Sequence, residues 1–292
     1  MKQLLIAGLL LLSNLIGFAQ INMADSTAQA IGYWSKGEKQ NYLITIEKTL
    51  IESGDTTSTI GSSSEVEVSI LDSTENSYTI QWQFKNIKIA HDSLLEKQLL
   101  DIVPLVKVVF STDELGVFNE LINLQEILDF QIKVSGILKE YTRLNERIDI
   151  PFIDLALQDI QHFHSFHGGS YKLGEELEAK VEIPILQTGQ SIDADLTFQL
   201  EEINEDDNFF VLSSLQKVNT QQLIDITLAH SAGLTAETRR DSLKINDFEG
   251  MTNEVATFTS IHGSGWVLYS EMIKTVNIGD VEVIEMHSIE LL

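Results

Sequence analysis

Apolar and polar residues alternate with a period of two along most of the chain after its first twenty residues. This spacing is typical of antiparallel strands that have one buried face and one wet face. Within residues 77–89 the apolar positions change parity near Lys85 and Asn86, which predicts a β-bulge there. The segments with this pattern are residues 41–50, 65–71, 77–89, 177–185, 192–201, 255–260, 266–276 and 281–291.

Helical spacing is confined to a few segments. Asn123 and Glu126 resemble a capping box, and the apolar residues that follow predict a helix to about Thr142. Pro151 suits the first position of a second helix, which the glycines at 168 and 169 would end. Two further segments are residues 220–230, which fit either a strand or a helix, and residues 235–243, which suit a short helical turn.

Two stretches of the chain have the same order of turns and strands. One begins at Tyr33–Glu38 and the other at Tyr171–Glu175, and each continues as strand, glycine turn and strand. We therefore predict a mainly β fold with a few helices (α+β), in which two related antiparallel β-meander units form one curved sheet or two packed sheets, and helices cover one face. The predicted divisions are a signal peptide at residues 1–19, a first meander unit with a helical insertion at 20–150, and a helix with a second meander unit at 151–292. The alternative is that the two units form one composite domain.

The N-terminus has the three parts of a secretory signal. Lys2 supplies the positive charge, residues 4–16 form an apolar run, and residues 17–19 give a small-x-small cleavage site. A run of about 13 residues is too short for a membrane span, which needs roughly 20. We expect cleavage after Ala19 and a periplasmic or extracellular protein without an integral membrane segment. The alternative is an uncleaved anchor.

The charge and the absence of cysteine exclude several classes of function. The formal net charge is −25, from 19 basic and 44 acidic residues, which disfavours nucleic-acid partners and anionic membranes. With no cysteine, the chain has no disulfide, thiolate nucleophile or cysteine-bound zinc.

Only one cluster of residues suggests chemistry. His162, His164 and His167 are candidate zinc ligands, with Asp159 as a further ligand or a supporting carboxylate. The alternative is that these histidines end a helix, where the helix dipole favours them. The segment His262–Gly265 lacks the spacing of a nucleophile elbow and predicts a hairpin turn. No cofactor other than zinc is suggested.

The leader, the Tyr-x-x-Lys-Gly-Glu pattern at residues 33–38 and the meanders resemble a family of uncharacterised exported β-rich proteins common in Bacteroidetes-type bacteria. The resemblance covers most of the chain after the leader. It implies a β-rich fold and a location outside the cytoplasm, and it assigns no activity.

Three functions are compatible with these observations. The leading hypothesis is a non-enzymatic binding or scaffolding module. One variant of it is a carrier that holds a hydrophobic small molecule on an apolar sheet face under the helices. The first alternative is a secreted metal-assisted hydrolase that uses His162, His164 and His167. The second is a cell-surface interaction protein.

Overall fold

The computed structural model describes residues 20–89, 107–141, 152–185, 190–233, 248 and 250–292. The signal peptide at residues 1–19, the first helical position at Pro151 and the short helical turn at 235–243 lie outside the described residues. They remain predictions.

The described residues form fourteen strands and three helices. The strands are β1 (Ile21–Asn22), β2 (Thr27–Gln29), β3 (Lys39–Glu52), β4 (Asp55–Ser73), β5 (Ser77–Ile89), β6 (Lys107–Asp113), β7 (Phe118–Leu121), β8 (Ser170–Lys172), β9 (Glu176–Ile185), β10 (Gln190–Asn204), β11 (Phe209–Val218), β12 (Thr252–His262), β13 (Val267–Ile278) and β14 (Val281–Leu291). The helices are α1 (Leu124–Tyr141), α2 (Phe152–Phe163) and α3 (Thr220–Gly233).

Eleven of these strands form one antiparallel sheet in the order β7-β6-β5-β4-β3-β14-β13-β12-β11-β10-β9. The order contains two meanders, β3 to β7 and β9 to β14. They are joined where β14 pairs with β3, from Leu291 opposite Tyr42 to Val281 opposite Glu52. The predicted fold class is therefore confirmed, and the two units share one sheet. A separate three-stranded sheet has the order β1-β2-β8.

The predicted β-bulge in β5 is confirmed at the two residues where the parity changes. Phe84 pairs with Val66 and Ile87 pairs with Ser64, so Lys85 and Asn86 lie opposite the single residue Glu65. The extra residue returns apolar side chains to the same face of the sheet on both sides of the bulge. The change in the parity of the apolar residues therefore predicted the position of the bulge correctly.

The core lies between α2 and one face of the large sheet, which we call the inner face. Tyr42 of β3 and Trp82 of β5 lie on this face and contact the ring of Phe163 of α2, with centroid distances of 5.3 and 5.6 Å. All three side chains are almost fully buried. Burying an aromatic side chain of this size contributes about 2–3 kcal/mol, and edge-to-face ring contacts of this kind add to it. These contacts fix α2 against the centre of the first meander.

Asn123 precedes α1 as predicted, but its side chain does not form a capping box. Its backbone carbonyl accepts from Glu126 and Ile127, whereas its Oδ1 accepts from the backbone N–H of Val109 at 2.8 Å. Its Nδ2 donates to the carbonyl of Lys107 at 2.7 Å and to Oε2 of Glu126 at 3.1 Å, so the two side chains of the predicted box bond to each other and not to the backbone N–H groups of the helix start. The expected cap is thus corrected: strand β6 lies close enough to take the side chain, so Asn123 links the helix start to β6.

Replacing Asn123 with alanine is expected to lower the free energy of unfolding by about 1–2 kcal/mol, because it leaves the N–H of Val109 without its acceptor. Urea denaturation would measure the change. The matched control is Asn119→Ala in β7, whose side chain is exposed and whose loss should change stability by less than about 0.5 kcal/mol. Equal losses in the two variants would contradict the role given to Asn123.

The structure also assigns the open segment at residues 220–230 and the strand position of Pro184. Residues 220–230, which fitted either element, belong to the helix α3. Pro184 lies in β9, which pairs only with β10 among the described strands, in agreement with the edge position that proline favours.

Candidate functional site

Two of the candidate histidines are part of the core beside Trp34. In the turn after α2, His164 donates from Nδ1 to the carbonyl of Gly116 at 2.8 Å, and His167 donates from Nε2 to the carbonyl of Gly265 at 2.9 Å. Their ring centroids are 5.1 Å apart. Burial, followed by the proximity of His167, holds the pKa of His164 well below its usual value. Burial lowers the pKa of His167 to about 4.

His162, in the last turn of α2, lies apart from this pair and contacts the sheet. Its Nε2 shares a hydrogen bond of 2.7 Å with the hydroxyl of Ser270 in β13, which in turn lies 2.5 Å from the hydroxyl of Thr259 in β12. Burial, followed by the charge of His287, lowers the pKa of His162 to about 3. The imidazole of His162 is therefore neutral. Its hydrogen bond to Ser270 connects α2 to the centre of the second meander.

The three histidines are thus buried rings, each bonded through one nitrogen to the protein. Their other nitrogens, Nδ1 of His162, Nε2 of His164 and Nδ1 of His167, contact no hydrogen-bond partner within the described ranges. Among those same residues, no group of three or more histidine, aspartate or glutamate side chains is arranged to hold a metal ion. A zinc site at these residues remains a prediction.

The segment His262–Gly265 forms the turn between β12 and β13. The carbonyl of His262 accepts from Gly265 at 2.8 Å, and its Nδ1 lies 2.7 Å from the hydroxyl of Ser264. Gly265 has a φ of +85°, and a Cβ there would lie 2.2 Å from the carbonyl oxygen of Ile31. The predicted hairpin turn is confirmed, and glycine is required by this close approach.

A buried ionic group lies under α2, at His287 of β14. Its Nδ1 lies 3.4 Å from Oδ1 of Asp159 in α2, and its Nε2 lies 3.1 Å from Oε1 of Glu285. Burial alone would lower the pKa of His287, but its hydrogen bonds to Asp159 and Glu285 and their charges raise it to about 9. Burial raises the pKa of Asp159, while the bond to His287 opposes that change. The imidazolium carries a charge at neutral pH and connects the helix to the sheet.

Beyond His287 the inner face carries a row of charged side chains on three adjacent strands. Glu285 of β14 lies directly opposite Lys48 of β3 on one side and Lys274 of β13 on the other. The hydrogen bond from His287, followed by the charges of both lysines, holds the pKa of Glu285 below its usual value. We call Lys48, Glu285 and Lys274 the charged row.

The next row on the same face is apolar. Val283 of β14 lies opposite Leu50 of β3 and Val276 of β13, and all three side chains are half-buried. Neither of the two hydrophobic clusters of the described residues includes them. We call Leu50, Val283 and Val276 the apolar row. It lies two residues further along each strand than the charged row.

Beyond the apolar row, the inner face meets α3. Ile278, the next inner-face residue of β13, packs against a small cluster formed by Ile224 of α3 with Phe248 and Met251. The charged and apolar rows therefore lie on the inner face between the residues that contact α2 and those that contact the α3 cluster.

A separate cleft of about 420 Å³ lies between β9, β10 and β11. Charged side chains of both signs line it, and Lys180 lies 3.7 Å from Asp195 across it. Gln222 of α3 donates to the carboxylate of Asp193 at 2.7 Å. The lining is mostly polar, so the cleft offers little apolar surface to a hydrophobic ligand.

Sequence reasoning overlooked the charged row, although the pattern contains its signal. Lys48, Lys274 and Glu285 each occupy a position whose parity is otherwise mostly apolar in β3, β13 and β14. His287 breaks the same parity in β14. One charged residue at an inward position is unremarkable, but three on adjacent strands in register mark a polar site on an apolar face.

Comparisons with known proteins do not assign the site. No protein-family model matches the chain, and no curated protein matches it. Among solved structures, the chain is similar to a lipovitellin structure described for its lipid–protein interactions, with a TM-score of 0.44 and 11% identity over 88% of this chain and 25% of that chain. An outer membrane channel from Pseudomonas putida F1 gives a TM-score of 0.15 and 6% identity over 93% of this chain and 100% of that chain. This chain thus spans about a quarter of the lipovitellin chain, and both likenesses are too distant to support a functional argument. No helix in the described part of the chain is long and apolar enough to cross a membrane.

Proposed function

We propose that the protein is an exported, non-enzymatic binding module that takes a hydrophobic ligand on the inner face of its sheet. The observation that carries the proposal is the apolar row of Leu50, Val283 and Val276. These side chains lie on the face that holds the core, remain half-exposed, and belong to neither hydrophobic cluster. Apolar surface grouped on one face of a fold favours a binding site, since burying it releases about 25 cal/mol per Å².

The ligand cannot lie between the sheet and α2. There the inner face is filled by Tyr42, Trp82, Phe163 and their neighbours, which are almost completely buried. Protein interiors are packed as densely as organic crystals and leave no space for a second molecule. The proposed site is therefore the part of the inner face beyond His287, on β3, β14 and β13.

Replacing Val283 with aspartate is expected to weaken ligand binding by at least about tenfold, because a carboxylate on the apolar row must lose water when an apolar ligand covers it. The measurement is a fluorescence titration with N-phenylnaphthylamine, an uncharged dye that brightens in apolar surroundings, followed by displacement with oleyl alcohol.

The matched control is Ile284→Asp, the next residue of β14, which is also half-buried but lies on the opposite face between Thr49 and Thr275. Its dye affinity should stay within about threefold of the original. Circular dichroism of both variants checks that they are folded. Failure of the unaltered chain to bind the dye, or a larger loss in Ile284→Asp than in Val283→Asp, would overturn the proposal.

A further inference from the structure

We infer that the ligand is a single-chain amphiphile with a monoanionic carboxylate head, such as a fatty-acid anion, whose head lies at the charged row and whose chain covers the apolar row. This inference rests on the proposed function and deepens it.

The charged row and the ion pair beneath it carry one net positive charge, because Lys48, Lys274 and His287 are positive and Glu285 and Asp159 are negative. The exposed Glu52 lies on the same face beyond Leu50 and is outside this group. The whole chain has a formal net charge of −25. A net positive group on the core side of so acidic a protein is a local feature, and a single carboxylate anion would neutralise it.

Within the described ranges, the two lysines of the charged row are not paired with a carboxylate by a salt bridge, whereas Glu285 is bonded to His287. The carboxylate of Glu285 accepts a hydrogen bond from His287 at 3.1 Å. Neither Lys48 nor Lys274 forms a salt bridge with a carboxylate in the described part of the chain. The lysines project from strands on either side of β14, and therefore from backbones about 10 Å apart, since neighbouring strands are about 4.8 Å apart. Two flexible ammonium groups at this separation can converge on one small anion.

The strand register places the apolar surface next to the charges. Leu50, Val283 and Val276 each lie two residues beyond their charged neighbour on the same strand. Two residues of a strand cover about 6.8 Å. A carboxylate held between Lys48 and Lys274 therefore places the first methylene groups of its chain over the apolar row. The chain would continue toward Ile278 and the cluster under α3.

The experiment compares oleate with oleyl alcohol, which has the same chain and no charge, on the full chain below the micelle concentration of either lipid. Oleate is expected to bind about tenfold more tightly than the alcohol, and added salt should reduce this preference. In the variant Lys48→Gln/Lys274→Gln, the preference should fall to within about twofold, while the affinity for the alcohol is unchanged. The matched control is Lys88→Gln, because Lys88 is exposed and lies on the opposite face of the sheet, in β5. This variant should keep the preference for oleate over the alcohol.

Each outcome separates the head-group inference from the proposed function. Equal affinities for oleate and the alcohol, or a preference that survives in the double variant, would overturn the inference and leave hydrophobic binding in place. Binding of neither lipid would overturn both. Tighter binding of lysophosphatidic acid than of oleate would also overturn the inference, because it would show a site for a phosphate head group.

Discussion

Acidification from pH 6.5 to about 4 is expected to destabilise this protein steeply, because three histidines are buried in the neutral form. The pKa of His162 is lowered to about 3 and that of His167 to about 4, and the pKa of His164 is also well below its usual value. In the unfolded chain each imidazole binds a proton near pH 6.5. At pH values between the folded and the unfolded pKa of these histidines, the unfolded state binds more protons than the folded state. The contribution of the neutral histidines to stability is therefore complete above about pH 6.5 and is lost as the pH falls.

The expected slope is about 1.4 kcal/mol per pH unit for each histidine that takes up a proton on unfolding. Urea denaturation at a series of pH values between about 4 and 7.5 measures it. His164→Gln is expected to be less stable at neutral pH but to lose about one third of the histidine contribution to the slope. The matched control, Phe166→Leu, alters a buried ring of the same turn without removing a titratable group and should retain the original slope. An identical slope in the two variants would contradict the buried neutral imidazole at His164.

Replacing Asp159 with alanine is expected to lower the free energy of unfolding by about 3 kcal/mol at neutral pH, because it leaves the imidazolium of His287 buried under α2 with Glu285 as its remaining partner. The side chains of His287 and Asp159 are only 1% and 5% exposed, so water can replace little of the lost interaction. Chemical denaturation of the variant and the original protein gives the difference.

The sign of the pH dependence provides a further check on this pair. The pKa of His287 is raised to about 9, so its contribution is complete below its unfolded value near 6.5 and is lost as the pH rises through about 9. The cost of Asp159→Ala should therefore shrink in alkaline solution. Asp129→Ala, an exposed carboxylate of α1, is the matched control and should cost less than about 0.5 kcal/mol. A cost for Asp159→Ala that is the same at every pH would contradict an ionic role for the pair.

Most of the large sheet could be predicted from the sequence because its strands have one buried and one solvent-exposed face, and apolar and polar residues therefore alternate along them. β5 was predicted with its exact limits and its bulge, and β14 with its exact limits. The first half of β4 could not be predicted in this way. Residues 55–64 are mostly serine and threonine with half-buried or exposed side chains, so no alternation marks the strand, which forms because β3 provides a pairing partner.

The site was harder to predict because its residues belong to distant parts of the chain. The histidines at 162, 164 and 167 attracted attention through their local spacing, yet the fold divides them between a pair beside Trp34 and a single contact with Ser270. The charged row requires β3, β13 and β14 to be neighbours in a known register. Local spacing contains neither the strand order nor the register, although the broken parity at Lys48, Lys274 and Glu285 was visible in the sequence.

The pairing of β14 with β3 also determines when the protein can finish folding. Most paired strands within each meander are close in sequence, so they can pair soon after they are synthesised. The contact between the meanders instead joins a strand near the beginning of the described chain to one at its end. Until that last strand is available, β3 and β13 each expose an unpaired backbone edge, which is a template for aggregation. A chaperone that shields extended segments during synthesis would act on these two temporary edges.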